Sequence, residues 1–417
     1  MIFYENCRHY RGIQSFSQRS CLSYRRNTKT DGCDYIIAVI SGDFVQRGAP
    51  ASSDKYIRTR TALLGGADLV LELPVCAAVS SAETFARTGV RLLDSLNCVN
   101  FLSFGCETDR KELLSSLARL FAQEPPAFSR GLSSYLKQGY SFPAARAKAA
   151  ADHLRSEECL DLLSRPNNIL AIEYLKALET SSLSPCFIRR RGQDYHSTDT
   201  GKGFCSATAL RREIRAGGDL SRLFARQMPP ACACALLKWA EYFSFLEEND
   251  FSSLLQYKLL LSFGHYEDFT DGNRTFANRL ARLWESCTSF DSFCSICKSK
   301  ERTYTAVSRC MIRILLDIRE KEMDLLKELH WAPYARILGF RRSAAPLLDV
   351  LKGSSIPVIR KLSSDCRDLT ESQKALLDLD IRSAHIYQRG PFRKSGLSVK
   401  TNFASPLFIC SGICQSR

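Results

Sequence analysis

The sequence of 417 residues has few histidines and no apolar run long enough to cross a membrane. A membrane-spanning helix needs about 20 consecutive apolar residues, and the N-terminal residues also lack the hydrophobic core of a signal peptide. We therefore expect a cytoplasmic protein with no membrane partner. A chain of this length is too long to fold around one hydrophobic core, which predicts two domains or more.

Cysteine is common, but it is not arranged as a metal site. The 18 cysteines are scattered through the chain, which favours reduced thiols over a disulfide scaffold. Cys294 and Cys297 form the one C-x-x-C, and no second pair lies at zinc-ribbon spacing. We therefore expect no bound metal of the zinc-ribbon kind.

Acidic residues are too few to balance the basic ones. Against 58 Lys and Arg there are 44 Asp and Glu, which gives a net charge of +14. This excess favours a polyanionic partner. Nucleic acid is favoured over a membrane surface, because no basic helix has a strongly apolar opposite face.

Buried strands alternate with helical segments near the N-terminus. A continuous apolar run, such as Tyr35–Ile40, is typical of a parallel strand covered on both faces. The elements that follow it are helix Asp54–Gly65, strand Leu69–Val75, helix Ser80–Leu96 and strand Val99–Gly105. This alternation predicts an α/β fold with a doubly wound, Rossmann-like parallel sheet.

The turn after the first of these strands is a candidate ligand site. Ligands of open α/β sheets bind beyond the carboxyl ends of the strands. The residues that could contact a nucleotide, its phosphates or a carboxylic acid there are Ser41, Gly42, Asp43, Gln46, Arg47 and Lys55. The alternative is that they only order the turn. Cations at the start of a helix oppose its dipole, so Lys55, Arg58 and Arg60 either bind an anion or form a solvated face.

Several longer stretches resemble one known family. They include S-G-D-F-V-Q-R-G-A-P at 41–50, G-A-D-L-V-L-E-L-P at 66–74, G-Y-S-F-P-A-A-R at 139–146, R-P-N-N-I-L-A-I-E-Y-L at 165–175 and K-S-K-E-R-T-Y-T-A-V-S-R at 298–309. In this order they resemble the tRNA(Met) cytidine acetate ligase family. The resemblance implies a nucleotidyltransferase-type Rossmann domain that uses ATP, with Mg²⁺, to activate acetate as acetyl-adenylate. The acetyl group then passes to N4 of the wobble cytidine of elongator tRNA(Met).

The resemblance also implies roles for individual residues. Gly105 matches a glycine that contacts adenosine, Asn167 matches a nucleotide-binding position, and Arg190 matches a nucleotide-binding arginine. Arg191 leaves the register of that arginine open by one. Ser206 to Arg211 resembles the I-S-x-T-x-[IL]-R turn, where a hydroxyl and free helix N–H groups hold phosphate. The alternatives are a strand-end turn for Gly105 and helix capping for Asn167 and Ser206.

Beyond residue 217 the pattern is helical almost throughout. The expected helices are Cys232–Glu247, Phe251–Leu261, Phe276–Ser286, Tyr304–Lys327 and Ser343–Leu351. Cations in this half are candidates for binding tRNA phosphates, namely Lys298, Lys300, Arg302, Arg309 and Arg336. Nearby aromatic residues, such as Tyr334, are more often part of the core.

Residues 1–32 depart from the family. Family members open with a strand that ends in a Phe-His-x-Gly-His turn, whereas His9 is the only histidine here before His153. The catalytic residues therefore stay unassigned. The codons of Asn6 to Gly32, if they are read one base later with third bases chosen freely, can spell I-A-G-I-I-A-E-F-N-P-F-H-N-G-H-A-Y-H-I-E-E-T-R-K-Q-T-G. The hypothesis is that two compensating frame shifts scrambled this segment, and the gene's nucleotide sequence decides it.

The expected organisation has four parts: an aberrant segment at 1–32, a Rossmann-like domain at 33–216, a helical tRNA-binding domain at 217–390 and a tail at 391–417. Two rivals to the ligase stay open. One is a catalytically impaired homologue that binds tRNA or nucleotide, and the other is a nucleotidyltransferase of small molecules.

Overall fold

The computed structural model describes residues 2–4, 34–189, 207–270, 273–396 and 407–410. Its strands are β1 (Ile2–Tyr4), β2 (Ile36–Ser41), β3 (Phe44–Val45), β4 (Ala49–Pro50), β5 (Leu69–Leu73), β6 (Phe101–Cys106), β7 (Ser184–Arg189), β8 (Ala335–Arg341), β9 (Val358–Ile359) and β10 (Phe408–Cys410). All of them join one mainly parallel sheet except β3 and β4, which form a small antiparallel ribbon.

The sheet has the strand order β10-β8-β5-β2-β1-β6-β7, with β9 beside β8. Strands β5, β2, β1, β6 and β7 run parallel. After β5 the chain returns past β1 to form β6 on its other side, so the order reverses at β1. Such a reversal opens the crevice in which α/β proteins bind ligands. The predicted α/β fold with a parallel sheet is confirmed.

The central strand β1 comes from the segment that we expected to lack one. Ile2 pairs with Ile36 on one side and with Phe101 on the other. The expectation that residues 1–32 contain no strand is therefore wrong for these three residues. Residues 5–33 and their re-read alternative lie outside the part that the structure describes.

The helices of the first half are α1 (Lys55–Gly65), α2 (Val75–Ala78), α3 (Ala82–Asp94), α4 (Lys111–Gln123), α5 (Pro126–Lys137), α6 (Phe142–Leu154), α7 (Glu158–Ser164), α8 (Pro166–Leu178) and α9 (Ala207–Arg215). Helix α1 begins where predicted, because the Asp54 carboxylate accepts hydrogen bonds from the N–H groups of Tyr56 and Ile57.

The helices of the second half are α10 (Leu220–Gln227), α11 (Pro230–Ala240), α12 (Ser252–Leu261), α13 (Arg274–Leu283), α14 (Phe290–Cys297), α15 (Tyr304–Leu316), α16 (Glu320–Glu328), α17 (Ala345–Val350), α18 (Leu362–Asp365) and α19 (Glu371–Ser395). The single helix expected over Tyr304–Lys327 is two helices. Asp317, with φ 58°, ends the first of them.

Apolar residues cover both faces of the sheet, since successive residues of a strand point to opposite faces. Ile37 and Val39 lie in a core shared with α3, α4 and α8. Ile36, Ala38 and Ile40 face the other core, which α1, α10 and α11 close.

The C-terminal half is not helical throughout. Strand β8 pairs antiparallel with β5, and β10 and β9 then pair with β8. Both the range expected to form a separate helical domain and the expected tail therefore contribute strands to the sheet. None of the helices that the structure describes is long and apolar enough to span a membrane.

Candidate nucleotide-binding site

The carboxyl ends of β6 and β7 bring predicted site residues together. Gly105 lies opposite Ile188, and Cys106 lies opposite Arg189, in the parallel pairing of these strands. Gly105 is next to the last residue of β6, on the strand that adjoins the reversal at β1. The prediction that it lies at the ligand edge of the sheet agrees with this placement.

Asn167 joins this edge from the start of α8. Its side-chain amide donates a hydrogen bond to the Glu107 carboxylate, directly beyond β6. Asn168 accepts a hydrogen bond from the backbone N–H of Glu107 at 2.9 Å. The helix places both amides here because Pro166 occupies its first turn and Arg165 before it is extended.

Two polar atoms of this pair have no partner among the described residues. Asn167 is 1% exposed, and its Oδ1 accepts no hydrogen bond, while Nδ2 of Asn168 donates none. A buried polar group without a partner costs about 1–3 kcal/mol. Asn167 also makes no capping bond to the helix, so capping does not explain it. An acceptor and a donor without partners, on adjacent residues, are the groups that could bind a base edge or a ribose.

Two other predicted nucleotide ligands cannot be placed. Arg190 and Ser206 lie outside the described ranges. Arg189, directly before Arg190, ends β7 at the same edge and pairs with Asp109.

Charged side chains form hydrogen bonds that fix the turn after β2. The Asp43 carboxylate accepts a hydrogen bond from the backbone N–H of Lys55 at 3.0 Å. Arg58 donates to the carbonyl of Ser41 at 2.9 Å and to that of Gly42. A Cβ atom on Gly42 would overlap the Glu72 carboxylate, so this position requires glycine. Asp43 therefore orders the turn, as one of the two interpretations expected.

Lys55 does not offer its charge to a phosphate. Its Nζ lies 2.8 Å from Oε1 of Glu72 and 3.7 Å from Oδ2 of Asp43, and the residue is 1% exposed. Arg58 is equally buried. The expectation that Lys55 and Arg58 answer a bound anion is wrong, because carboxylates and carbonyls of the protein already surround both cations.

Arg336 is a second predicted cation that the fold buries. It lies in β8, 4% exposed, with Nη1 2.9 Å from Oε2 of Glu72. Burial alone raises the pKa of Glu72, but Arg336 and Lys55 together hold that pKa below its usual value. The prediction that Arg336 contacts tRNA is therefore wrong.

Arg47 and Arg211, predicted separately, line one cavity. The cavity has a volume of about 450 Å³ and also contains Arg215 and Glu247. Arg47 lies 2.9 Å from Glu248, and Arg215 lies 2.8 Å from the same carboxylate and 2.6 Å from Glu247. Burial alone raises the pKa of Glu248. Arg47, a backbone hydrogen bond and the two other arginines have the larger opposite effect, so the pKa lies below its usual value. Sequence reasoning missed both glutamates, because no motif marks them.

Gln46 and Gly48 lie in the turn after β2, and Gln46 is half-buried. Gly48 has φ 78°, and a Cβ atom there would overlap the backbone of Ser308 and Arg309 on α15. Arg309, a predicted tRNA contact, is thus half-buried beside the turn.

The remaining tRNA candidates differ in exposure. Lys298 and Lys300 are exposed after α14. Arg302 is half-buried, 4.4 Å from the centre of the Phe276 ring, and donates to the Thr270 carbonyl at 3.2 Å. Tyr334 is fully buried, as expected for a core residue.

Cys294 and Cys297 are both buried in α14. Burial raises the pKa of Cys297 to about 12, so this thiol stays protonated at neutral pH. Within the described ranges, no group of three or more His, Cys, Asp or Glu side chains could hold a metal ion.

Comparison with known proteins gives the family. The model of the HIGH Nucleotidyl Transferase family matches residues 24–397. A protein of Clostridium perfringens (strain SM101 / Type A) named tRNA(Met) cytidine acetate ligase is 35% identical over 378 residues, which is 88% of this chain and 90% of that protein. A protein of Acetivibrio thermocellus with the same name is 32% identical over 389 residues, covering 90% of this chain and 93% of its own.

Solved structures have the same fold. Thermotoga maritima TmcAL without ligand has a TM-score of 0.88 at 24% identity, covering 99% of each chain. The same protein bound with alpha-thio ATP has a TM-score of 0.85 at 25% identity, covering 99% of this chain and 100% of that one. The chain described here belongs to the tRNA(Met) cytidine acetate ligase family of HIGH nucleotidyl transferases.

Proposed function

We propose that this protein is an ATP-dependent ligase that acetylates N4 of the wobble cytidine of elongator tRNA(Met). ATP first activates acetate as acetyl-adenylate and releases pyrophosphate. The acetyl group then passes to the tRNA. The relatives named tRNA(Met) cytidine acetate ligase and the related structure bound with alpha-thio ATP support this proposal. The reaction would take place in the cytoplasm.

The observation that carries the proposal is the edge formed by Gly105 and Asn167. In Rossmann-like folds the nucleotide lies across the point where the strand order reverses, and here that point is β1. Adenosine would lie on the β6 side, with the unpartnered Oδ1 of Asn167 accepting a hydrogen bond from an adenine amine or a ribose hydroxyl.

The phosphates would then point across β1 towards the turn after β2 and towards Arg211. The guanidinium groups of Arg47 and Arg211 line the cavity on that side, and a guanidinium matches the geometry of phosphate and carboxylate oxygens. Acetate would bind next to the α-phosphate that it attacks. Mg²⁺ would enter with the phosphates, which supply most of its ligands in such sites.

Acetate-dependent exchange between ATP and pyrophosphate tests the first half of the proposal. The purified full chain is expected to catalyse exchange when acetate is present. Asn167→Ala is expected to lower kcat/KM for ATP about tenfold or more, since a buried hydrogen bond to substrate is lost. Asn278→Ala, at an exposed position of α13, is the matched control and should leave exchange unchanged.

The impaired homologue remains the second candidate, because of one specific observation. The family model begins to match at residue 24, and residues 1–32 contain no Phe-His-x-Gly-His turn. If the purified chain shows no exchange but binds tRNA, this second candidate is correct and the ligase proposal fails. Activity without tRNA binding would instead favour a small-molecule nucleotidyltransferase.

A further inference from the structure

The residues that line the cavity beside Glu247 are of two chemical kinds, here named its charged wall and its apolar wall. The charged wall consists of Arg47, Arg211, Arg215 and Glu247; the apolar wall consists of Ile214, Leu220, Ala240, Phe243, Phe245 and Leu246. Its volume of about 450 Å³ lies within the range of small-molecule sites, roughly 300–1,000 Å³. The cavity is therefore large enough for one nucleotide and too small for a nucleic-acid helix.

The apolar wall is held in place before any ligand arrives. The Trp239 ring lies 5.6 Å from the ring of Phe243 and 5.2 Å from that of Phe245, measured between centroids. Trp239 itself donates a hydrogen bond of 2.7 Å to the carboxylate of Asp54, the residue that caps α1. Fixed aromatic rings are surfaces on which unstacked bases of RNA bind.

The charged wall offers a carboxylate in a fixed position. Glu247 lies 2.6 Å from Nε of Arg215, and its carboxylate also accepts from the backbone N–H of Asp250. A carboxylate accepts a hydrogen bond from the N4 amine of cytosine. Uracil presents a carbonyl oxygen at the same place, and a carboxylate repels it. Arg47 and Arg211, which the proposed function assigns to the phosphates of ATP, line the same cavity as this carboxylate.

We propose that this cavity receives the target cytosine of the tRNA, turned out of its stack, with its N4 amine on Glu247. This inference rests on the proposed function and names the binding place of its second substrate. An enzyme that modifies the Watson–Crick edge of a base must extract the base or act on an unpaired one. Arg211 lies one helical turn after the start of α9, whose N-terminal turn is the predicted phosphate contact. The cavity therefore adjoins the expected place of the acetyl-adenylate.

The acetyl transfer needs only the N4 amine, the acetyl-adenylate and the Glu247 carboxylate. The N4 lone pair attacks the acetyl carbonyl carbon, and a C–N bond forms. The bond from that carbon to the phosphate oxygen breaks, and its electron pair leaves with AMP. The proton lost from N4 passes to Glu247, whose side chain is 35% exposed and can release the proton to water.

Two variants separate this step from adenylation. Glu247→Gln and Phe243→Ala are expected to lower kcat/KM for acetyl transfer to tRNA tenfold or more. Acetate-dependent exchange between ATP and pyrophosphate should change less than threefold in both. Glu241→Gln, an exposed carboxylate at the end of α11, should leave both reactions unchanged. Normal transfer by Glu247→Gln and Phe243→Ala overturns the proposal, and so does an equal loss of exchange and transfer.

A binding measurement keeps the inference independent of activity. The probe is an anticodon stem-loop with 5-iodocytidine at the target position, cross-linked by light to the unmodified full chain. Mass spectrometry is expected to place the cross-link on Phe243 or Phe245. A cross-link confined to other segments overturns the proposal, even if the chain catalyses no exchange. Absence of exchange together with a cross-link at these rings would instead reject the proposed enzyme and keep the cavity as a cytidine site.

Discussion

The ammonium group of Lys55 lies 2.8 Å from the carboxylate of Glu72, and both side chains are buried. Arg336 approaches the other oxygen of Glu72 at 2.9 Å, and Asp43 lies 3.7 Å from Lys55. Helix α1, strands β5 and β8 and the turn after β2 thus meet at one buried cluster of two cations and two carboxylates. This cluster fixes the turn that borders the candidate site.

Removal of Lys55 should destabilise the protein strongly. Lys55→Met removes the cation that lies 2.8 Å from the buried Glu72 and 3.7 Å from the buried Asp43. The loss of one partner of a buried pair costs about 3–5 kcal/mol. The measurement is urea unfolding followed by circular dichroism. Lys327→Met, at an exposed position of α16, is the control and should change the free energy of unfolding by about 0.5 kcal/mol or less. Equal effects of the two substitutions would contradict the importance of the cluster.

The carboxyl group of Asp380 should make stability depend on pH. It accepts hydrogen bonds from the Val75 N–H at 2.7 Å and the Tyr334 hydroxyl at 2.8 Å. Burial and the charge of Glu72 raise its pKa to about 7, although both hydrogen bonds and Arg336 lower it. Its pKa in the unfolded chain is about 4. The folded state therefore binds an extra proton between these values, and this stabilisation is lost as pH rises through 7.

Asp380→Asn removes this titration and keeps the size of the side chain. Relative to the wild type, the variant should gain about 2–3 kcal/mol of stability between pH 5 and pH 8. The free energy of unfolding of both proteins, measured across that range, checks the slope. A difference that stays constant with pH would show that Asp380 does not titrate there.

Gly48 should tolerate substitution less well than another glycine of similar backbone. Gly48 and Gly139 have φ of 78° and 84°, but a Cβ atom meets the backbone of α15 at Gly48 and nothing within 4 Å at Gly139. Gly139→Ala should cost about 1 kcal/mol for the left-handed backbone alone. Gly48→Ala should cost at least about 2 kcal/mol more, because the turn must leave α15. If thermal unfolding shows that the two substitutions destabilise the protein equally, the contact between Gly48 and α15 does not limit this position.

The sequence predicted the fold of the first half because its signals are local. The apolar run Ile36–Ile40 and the cap at Asp54 determine a buried strand and a helix start with little help from distant residues. Asn167 was predicted through the family, and its buried, unpartnered oxygen gives that position a physical reason.

The predictions that Lys55 and Arg336 bind an external anion were wrong because their burial depends on contacts that are not local. Lys55 and Arg336 are buried by pairing with Glu72, a contact between segments far apart in the chain. The one local signal was Glu72 itself, a carboxylate within the otherwise apolar run Leu69–Leu73, since such a charge needs a buried partner. Glu247 was missed because its ion pair with Arg215 joins residues that are far apart in the chain.

Lys298 and Lys300 are the exposed cations that should contact tRNA phosphates. The double substitution Lys298→Ala and Lys300→Ala should weaken tRNA binding and reduce its dependence on salt. Each lost phosphate contact lowers the slope of log K against log salt by about 0.7–0.9. Binding titrations at several salt concentrations measure this slope. Lys321→Ala with Lys327→Ala removes the same charge from α16 and should leave the slope closer to that of the wild type.

Restoring the family's opening should raise the activity of the chain. A protein in which the re-read segment replaces residues 6–32 regains the two histidines of the Phe-His-x-Gly-His turn. Loss of one group that stabilises a transition state costs about 10²–10³ in rate. We therefore expect acetate-dependent exchange at least about 100-fold faster than with the present sequence. The same replacement with alanine for both imidazoles controls for folding and should stay slow. Equal exchange by all three proteins would show that this chain does not need the turn, and would place the chemistry on the residues that follow β2, β6 and β7.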